Sequence, residues 1–326
     1  QCAGLHVTGS LTLTNWTNPA GTLSLQATGD IKELAKGLGL PDLRAGTVEL
    51  KSELTFRKAD WNAQGQIHTR QISIQTSSFK VDGLDFSSQF LGNSQQIEFP
   101  HFTASALGGV AEGRGVVTFQ SPAPQFSVRA QLRGLPLATA LSSLSRASGT
   151  RSHGYASQIS GTLDADWNGR FGNFSSHFNL RLQPQAARGS DIVPLSGSIL
   201  GHATLAPDLV LEIQDAQFQA PRSTLSTHGT LGSPQAKLAL RVATSDFEDL
   251  TPAFKFFAGT PEIVSVKLDS QAIFSGELSG TPARPEIRGR LEAGSFQFRG
   301  AAWDKMEATV AAAPDLLEIS SGHLTR

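Results

Sequence analysis

Apolar and polar residues alternate one by one along most of the chain. From Thr47 to Arg57, Val48, Leu50, Leu54 and Phe56 share one phase, while Thr47, Glu49, Lys51, Glu53, Thr55 and Arg57 share the other. Successive side chains of a strand point to opposite faces, so this spacing predicts a strand with one dry and one wet face. The pattern recurs at Leu23/Leu25, Ile72/Ile74, Phe126/Val128/Ala130/Leu132, Phe178/Leu180/Leu182 and Leu209/Leu211/Ile213. It returns at Leu238/Leu240/Val242, Val264/Val266/Leu268 and Phe296/Phe298. Strands of parallel sheets are usually apolar on both faces, so strict alternation predicts antiparallel pairing. Gly92-Asn93, Pro122-Ala123-Pro124 and Ala206-Pro207-Asp208 punctuate the strands. The expected fold class is all-β.

Three short helices interrupt this pattern. Asp30 with Glu33 three residues on reads as a capping box, and Ile31, Leu34, Ala35 and Leu38 then fall on one helical face. A second helix is expected from about Pro136 to Arg146, with Leu137, Leu141 and Leu144 on one side. A third is expected near Asp246–Phe257, carrying Phe247, Leu250, Phe254 and Phe257, with Pro252 dividing it or sitting in a first turn. All three are short and lack basic polar faces, which makes them core plugs rather than membrane-surface helices.

Aligning the helices exposes a repeat. Each follows an alternating strand (Ser24-Leu25-Gln26-Ala27, Ser127-Val128-Arg129-Ala130, Ala239-Leu240-Arg241-Val242). Each precedes a Gly-led strand beginning at Gly46, Gly161 or Gly276, which are 115 residues apart twice over. Two further sets recur: Ile97-Glu98-Phe99, Leu211-Glu212-Ile213 and Leu317-Glu318-Ile319; and Gly9-Ser10-Leu11, Gly115-Val116-Val117 and Gly229-Thr230-Leu231. Such self-similarity predicts one continuous array over 1–326 without independent domains, with units 1–45 (partial), 46–160, 161–275 and 276–326 (partial). The array has no atypical capping unit at either end, begins with Gln1 and has Met306 as its only methionine, so a segment of a longer protein is expected.

Composition narrows the function. With 27 Lys+Arg against 28 Asp+Glu there is no basic excess to neutralise phosphates, which argues against a nucleic-acid partner. The lone Cys2 excludes an intrachain disulfide and a cysteine-based zinc site. No run approaches the roughly 18 consecutive apolar residues of a membrane-spanning helix, and no signal-peptide pattern stands at the start. Phe is used 19 times and Tyr once, a choice suited to surfaces that need apolar area without hydrogen bonding.

Catalytic signals are weak. The histidines His6, His68, His101, His153, His177, His202, His228 and His323 include no i, i+4 pair, and neither a nucleophile elbow nor a phosphate-binding loop is present. The tightest acidic pair, Asp164/Asp166, would need burial or a close like charge to act as a dyad. Alternation instead puts Leu163 and Ala165 inside and both carboxylates on a solvated face. Arg129, Arg133 and Arg241 likewise fall in the wet phase, and the sequons at Asn15-Trp16-Thr17 and Asn173-Phe174-Ser175 are short matches of low specificity. The chain is expected not to be an enzyme and to need no cofactor or metal.

The informative feature is the dry face, which either packs on a second sheet or stays open as a trough for an apolar ligand. The run Phe274-Ser-Gly-Glu-Leu-Ser-Gly-Thr-Pro-Ala-Arg-Pro-Glu-Ile-Arg-Gly-Arg-Leu-Glu-Ala-Gly294 resembles the Gly-x-Leu-x-Gly-Thr-Pro-x-x-Pro-x-x-x-Gly repeat of the TamB family of translocation and assembly module subunits. Gly229-Thr-Leu-Gly-Ser-Pro234 is a shorter version, and Val128 through Gly134-Leu-Pro-Leu-Ala-Thr-Ala-Leu141 is similar to segments of TamB and AsmA-like proteins. Through its repeats the resemblance covers essentially the whole chain. The family's inner-membrane anchor helix and its barrel-docking module have no counterpart in these residues.

The resemblance implies an elongated antiparallel sheet curled into a U-shaped β-groove (a β-taco), in the periplasm of a diderm bacterium, with the full-length protein anchored in the inner membrane. It implies a bridge-like role conducting phospholipid or another acyl-chain lipid between the two membranes. An outer-membrane β-barrel assembly protein would be met through regions outside this segment. Lipid would lie along Val48, Leu50, Leu54, Phe56, Ile72, Ile74, Phe126, Val128, Leu180 and Leu182. The lining would continue through Leu209, Leu211, Leu238, Leu240, Val264, Val266, Phe296 and Phe298. Two other readings share the dry face: a scaffold that chaperones outer-membrane strands by strand addition, and an adhesin of β-sandwich repeats with a filled core.

Overall fold

The computed structural model describes all residues except 1–4, 16, 39, 41, 59, 77–78, 120–122, 145–153, 170–172, 187–191, 206–207, 233–235, 259–265, 282–283 and 315. Cys2, Trp16, Pro122, Arg146, His153, Ala206, Pro207 and Val264 therefore lie outside the described residues, as do the side chains of Leu34, Leu38, Leu144 and Phe257. The chain is almost all β, with antiparallel ladders, a few short helices and no closure into a barrel. It divides by contact into one unit of 1–146, 161–177 and 204–207 and a second of 147–160, 178–203 and 208–326.

The first unit is a meander in which each strand pairs with the next. Its order is β1 (Leu5–Asn15), β2 (Ala20–Asp30), α1 (Ile31–Leu38), β3 (Leu43–Arg57), β4 (Asp60–Gln75) and β5 (Lys80–Asn93). It continues through β6 (Gln96–Ala106), β7 (Gly109–Thr118), β8 (Gln125–Pro136) and α2 (Leu137–Leu144). The strands β9 (Tyr155–Asn168), β10 (Phe174–Pro184), β11 (Val193–Pro194) and β12 (Ser196–Leu205) come next in the chain and are divided between the two units, with β11 in the second and paired parallel to β9. Alternation is visible directly: along β3 the wet residues Lys51, Glu53, Thr55 and Arg57 are exposed while Leu50, Leu54 and Phe56 are half-buried and Val48 is buried.

Helix α1 forms where the alternation yields to helical spacing. Asp30 Oδ1 accepts the Lys32 N–H at 2.7 Å, satisfying one of the unpaired donors of the first turn. The reciprocal half of the expected capping box is replaced, because the Glu33 carboxylate meets the Lys36 ammonium at 2.6 Å. The strands flanking α1 pair directly, Asp30 opposite Thr47, so the helix is an insert at one end of the ladder. It buries Ile31 and Ala35 and packs on β3. Helix α2 follows β8 at the same end of the meander and touches β5 as well as β8.

The second unit repeats this plan with β13 (Leu209–Ala220), β14 (Ser223–Gly232) and β15 (Ala236–Thr244). A 3-10 turn (Phe247–Leu250) and α3 (Thr251–Ala258) come next, then β16 (Val266–Leu268), β17 (Ala272–Thr281), β18 (Arg284–Ala293), β19 (Phe296–Phe298), β20 (Ala301–Trp303), β21 (Lys305–Ala313) and β22 (Leu316–Thr325). Strands β15, β17, β18, β21 and β22 continue the antiparallel ladder. The third expected helix is thus two pieces, and Pro252 sits in the first turn of α3, where a missing N–H costs no intrahelical bond. Strands β16, β19 and β20 make a small separate sheet. Phe296 of that sheet packs with Ala272 and Ala293, and Met306, Trp303 and Phe247 gather around them.

A polar knot fixes this end of the second unit. The Arg222 N–H donates to Asp249 Oδ2 at 2.5 Å, and the Arg222 guanidinium meets Asp246 at 3.1 Å. Asp246 caps the 3-10 turn by accepting the Glu248 N–H at 3.0 Å. Thr244 Oγ1 lies 2.7 Å from Ser223 Oγ, and the Tyr155 hydroxyl donates to the Asp249 carbonyl at 3.2 Å.

Burial pushes the Tyr155 hydroxyl up to about 12, the Asp249 charge adding to the effect. Its folded value lies above its unfolded one, so its contribution is complete below about pH 10 and is lost as pH rises through about 12. Because Tyr155 is the only tyrosine, tyrosinate absorbance reads this one group. The native protein should titrate about two pH units above the urea-unfolded chain, and Tyr155→Phe should flatten the decline in stability over that window. Coincident folded and unfolded titrations would contradict the burial.

Candidate functional site

Cross-strand register assembles the dry face into rows that run across the strands. In the first unit one row is Ala27, Leu50, Ile67, Ser88, Phe102, Gly113 and Ala130. The next contains Leu25, Ser52, Gly65 and Phe90, and the row beyond it Leu23, Leu54, Ala63 and Gly92. On β8, Val128 pairs with Gly115 and Phe126 with Val117. The Phe126 ring stacks on Trp167 at 4.9 Å. Ile72 and Ile74 lie past irregularities in the β3–β4 and β4–β5 ladders, opposite Leu84 and Val81.

The second unit builds equivalent rows. Phe218, Leu225, Val242, Phe274, Leu291 and Ala308 form one, and Ile213, Gly229, Leu238, Leu278, Ile287 and Ala312 another. Leu238 and Leu278 are the buried centre of a cluster with Ile213, Leu231, Leu240 and Ile287. Leu209 and Leu211 lie on β13, and Leu180 and Leu182 on β10. Val266, Phe296 and Phe298 belong to the small sheet, Val266 directly opposite Phe298.

Among these expected lining residues, Val48, Ile72, Leu182, Leu238 and Phe296 are buried. Leu50, Leu54, Phe56, Ile74, Phe126, Val128, Leu180, Leu209, Leu211, Leu240, Val266 and Phe298 are only half-buried. Alanine is as common as larger side chains in the buried apolar set among the described residues, as expected where much of the dry face stays wettable.

Pattern reading missed an aromatic group on β5 and β6. Phe86 lies 5.6 Å from Phe102 and 6.0 Å from Phe99, and Phe90 lies 6.5 Å from Phe99. Phe86 and Phe90 do alternate, but Ser88 stands between them and bulges shift the register, so the signal is interrupted. These rings use glycine as floor space. A Cβ at Gly65 would lie 2.8 Å from the Phe90 ring and 2.2 Å from the Lys51 carbonyl oxygen. The paired Gly276 and Gly289 both lie under Phe274, and Gly201 lies under Phe178.

The opposite face is charged and solvated. Asp164 and Asp166 are exposed on either side of the buried Ala165, and Asp164 approaches Arg129 to 4.0 Å. Arg133 pairs with Glu112 at 3.2 Å, and Arg290 bridges Glu292 and Glu307 at 2.9 and 2.8 Å. A depression of about 810 Å³ lies among β1–β6, lined both by polar residues such as Lys51, Gln64 and Gln89 and by Leu25, Gly65 and Phe90 of the second row, and none of the expected lining residues borders it. Among the described residues no group of His, Cys, Asp and Glu is arranged to hold a metal ion, and no helix is long and apolar enough to cross a membrane.

No family model, curated protein or solved structure matches the chain.

The ring-over-glycine packing yields a direct test. Gly65→Ala should destabilise the protein by about 1–3 kcal/mol, as overpacking does. Gly322→Ala, where a Cβ meets open space, should be neutral or stabilising by up to about 1 kcal/mol. Urea denaturation of the two variants checks the contrast; equal effects would remove glycine from its role beneath Phe90.

Proposed function

We propose that this chain is a non-catalytic section of a repeat protein that holds acyl chains against the dry face of its sheet and lets them move across the strands. The single observation that carries the reading is the set of cross-strand apolar rows in which large side chains such as Leu50, Leu54, Val242 and Phe274 are only half-buried. The likeness of its Gly-Thr-Pro repeats to TamB and AsmA-like proteins supports a setting in the periplasm of a diderm bacterium and phospholipid as the ligand.

The energetics suit the task. Each methylene removed from water contributes about 0.8 kcal/mol, with no need for directional bonds. From β2 to β8 the rows cross six inter-strand gaps of about 4.8 Å, roughly 29 Å. An acyl chain reaches half of a hydrocarbon core about 30 Å thick, so one row is about two chain lengths long. Neighbouring positions along a row differ little in chemistry, which favours sliding over trapping. Head groups would stay in water at the ends of the strands, and the direction of net flow would have to come from outside this chain.

A photo-crosslinking residue at Leu50 or Leu240 should capture phospholipid in cells, and one at Glu49 or Arg241 should not. Leu240→Glu should reduce capture at a neighbouring dry-face position at least tenfold while leaving the circular dichroism of the sheet unchanged. Equal labelling of both faces, or labelling of neither, would defeat the proposal.

A further inference from the structure

The apolar rows of the first unit end in rings on one side. Four hairpins turn on that side, joining Asn15 to Ala20, Arg57 to Asp60, Gly92 to Ile97 and Thr118 to Gln125. Helices α1 and α2 lie on the other side, where Asp30 faces Thr47 and β8 ends. Phe56 stands in the last dry row before the hairpins, its ring 3.1 Å from where a Cβ on Gly21 would lie. Phe56 faces Trp61, and Trp61 and Ile97 adjoin over Gly92. Ile97 faces Val117, which faces Phe126. The Phe126 and Trp167 rings lie 4.9 Å apart with 3° between their planes, and Phe174 lies 6.4 Å from Trp167. These half-buried rings form a rail across the strands, parallel to the apolar rows.

The fold does not demand the rings. Strands β13 and β14 repeat the β6–β7 register, Leu211 facing Leu231 as Ile97 faces Val117, and the same irregularity follows in both ladders. On the side away from α3, however, the second unit aligns Ala236, Gly280 and Pro285. Its Phe247, Phe296 and Trp303 gather instead around Ala272 and Ala293. The rail therefore has a local cause, and its chemistry indicates one. Tryptophan joins a large apolar ring to one N–H, and membranes concentrate it at the level of lipid head groups. Two of the four tryptophans, Trp61 and Trp167, stand on the rail. Arg57 and Lys58 follow Phe56 directly and are exposed, two cations suited to charge-assisted hydrogen bonds with a phosphate. On the helix side Lys36 is already held by Glu33, and α1 buries Ile31 and Ala35 and packs on β3.

We infer that the rail holds the polar end of a phospholipid, with the glycerol backbone over the rings, the phosphate by Arg57 and Lys58 where the rail passes Trp61, and the acyl chains on the rows behind. The inference rests on the lipid reading above and adds which side of the sheet the head group takes. Carrying a charged phosphate over the apolar rows would strip its water and offer nothing in return, so the head group is confined to one side. The cations and tryptophans select the hairpin side. Because the rail runs parallel to the rows, a lipid moving across the strands keeps its head group at one level.

Single-tryptophan chains test this, each keeping Trp61, Trp167 or Trp303 and carrying Phe at the other three positions. Each chain is loaded with phosphatidylcholine bearing a nitroxide either on the choline or near the end of an acyl chain, and is then freed of unbound lipid. The choline nitroxide should quench Trp61 and Trp167 fluorescence at least twofold more than the acyl nitroxide, while Trp303 should show no such preference. Arg57→Gln combined with Lys58→Gln should weaken binding of phosphatidylglycerol at least threefold and leave that of diacylglycerol unchanged. An acyl nitroxide that quenches Trp61 and Trp167 as strongly as the choline one would overturn the inference, as would the same choline preference at Trp303. If a crosslinker at Leu50 still captures phospholipid in that case, the lipid reading stands without it. If neither capture nor quenching occurs, both fall. Equal weakening for the two lipids would remove the phosphate from Arg57 and Lys58 and overturn that assignment.

Discussion

An antiparallel sheet with one apolar face must cover that face, and the packing of this protein answers that constraint. Alternation in β3, β8, β13 and β15 puts valine, leucine and phenylalanine on one side, yet many of these large side chains are only half-buried. The protein meets the hydrophobic cost locally. Alanine makes up half of the buried apolar set among the described residues, many large side chains are only half-buried, and phenylalanine rings lie over glycines of their own or neighbouring strands. A ring laid across Gly65 or Gly276 covers backbone as well as itself, gaining contact without a second layer. The preference for Phe over Tyr follows, since a hydroxyl on such a ring would need a partner that this face does not offer.

Where strands end, the two units close their dry faces by different means. The first uses α1 and α2, short helices whose apolar residues lie on the ladder. The second uses the 3-10 turn, α3 and the small β16–β19–β20 sheet, tied down by Arg222, Asp246, Asp249 and Tyr155. These elements sit at the ends of the strands and not along the rows that cross them.

Much of this was legible in the sequence because strand alternation and helical spacing are local. Thr47–Arg57 reads as a strand without knowledge of its partners, and Asp30 reads as a helix start because its carboxylate serves a donor two residues away. The wet-face position of Asp164 and Asp166 is readable from Leu163 and Ala165, which alternate with them. Cross-strand facts were not legible. Gly65 beneath Phe90 depends on the register of β4 against β5, and the grouping of Phe86, Phe99 and Phe102 depends on a bulge that period-two counting steps over. Val266, Phe296 and Phe298 show the same alternation as the main strands, and only pairing reveals that they form a sheet of their own.

The shared register of β6–β7 and β13–β14 bears on how such a chain can change length. The Leu-Glu-Ile strands are separated by 114 residues in one interval and 106 in the next, yet two of them keep an identical ladder and bulge. Whole repeats, or pieces of loop between ladders, can be gained or lost without turning any leucine to the wrong side. A single residue inserted within a strand would invert every position after it up to the next bulge or turn. Lineages carrying this architecture should therefore differ in copy number and in connector length far more readily than in strand length.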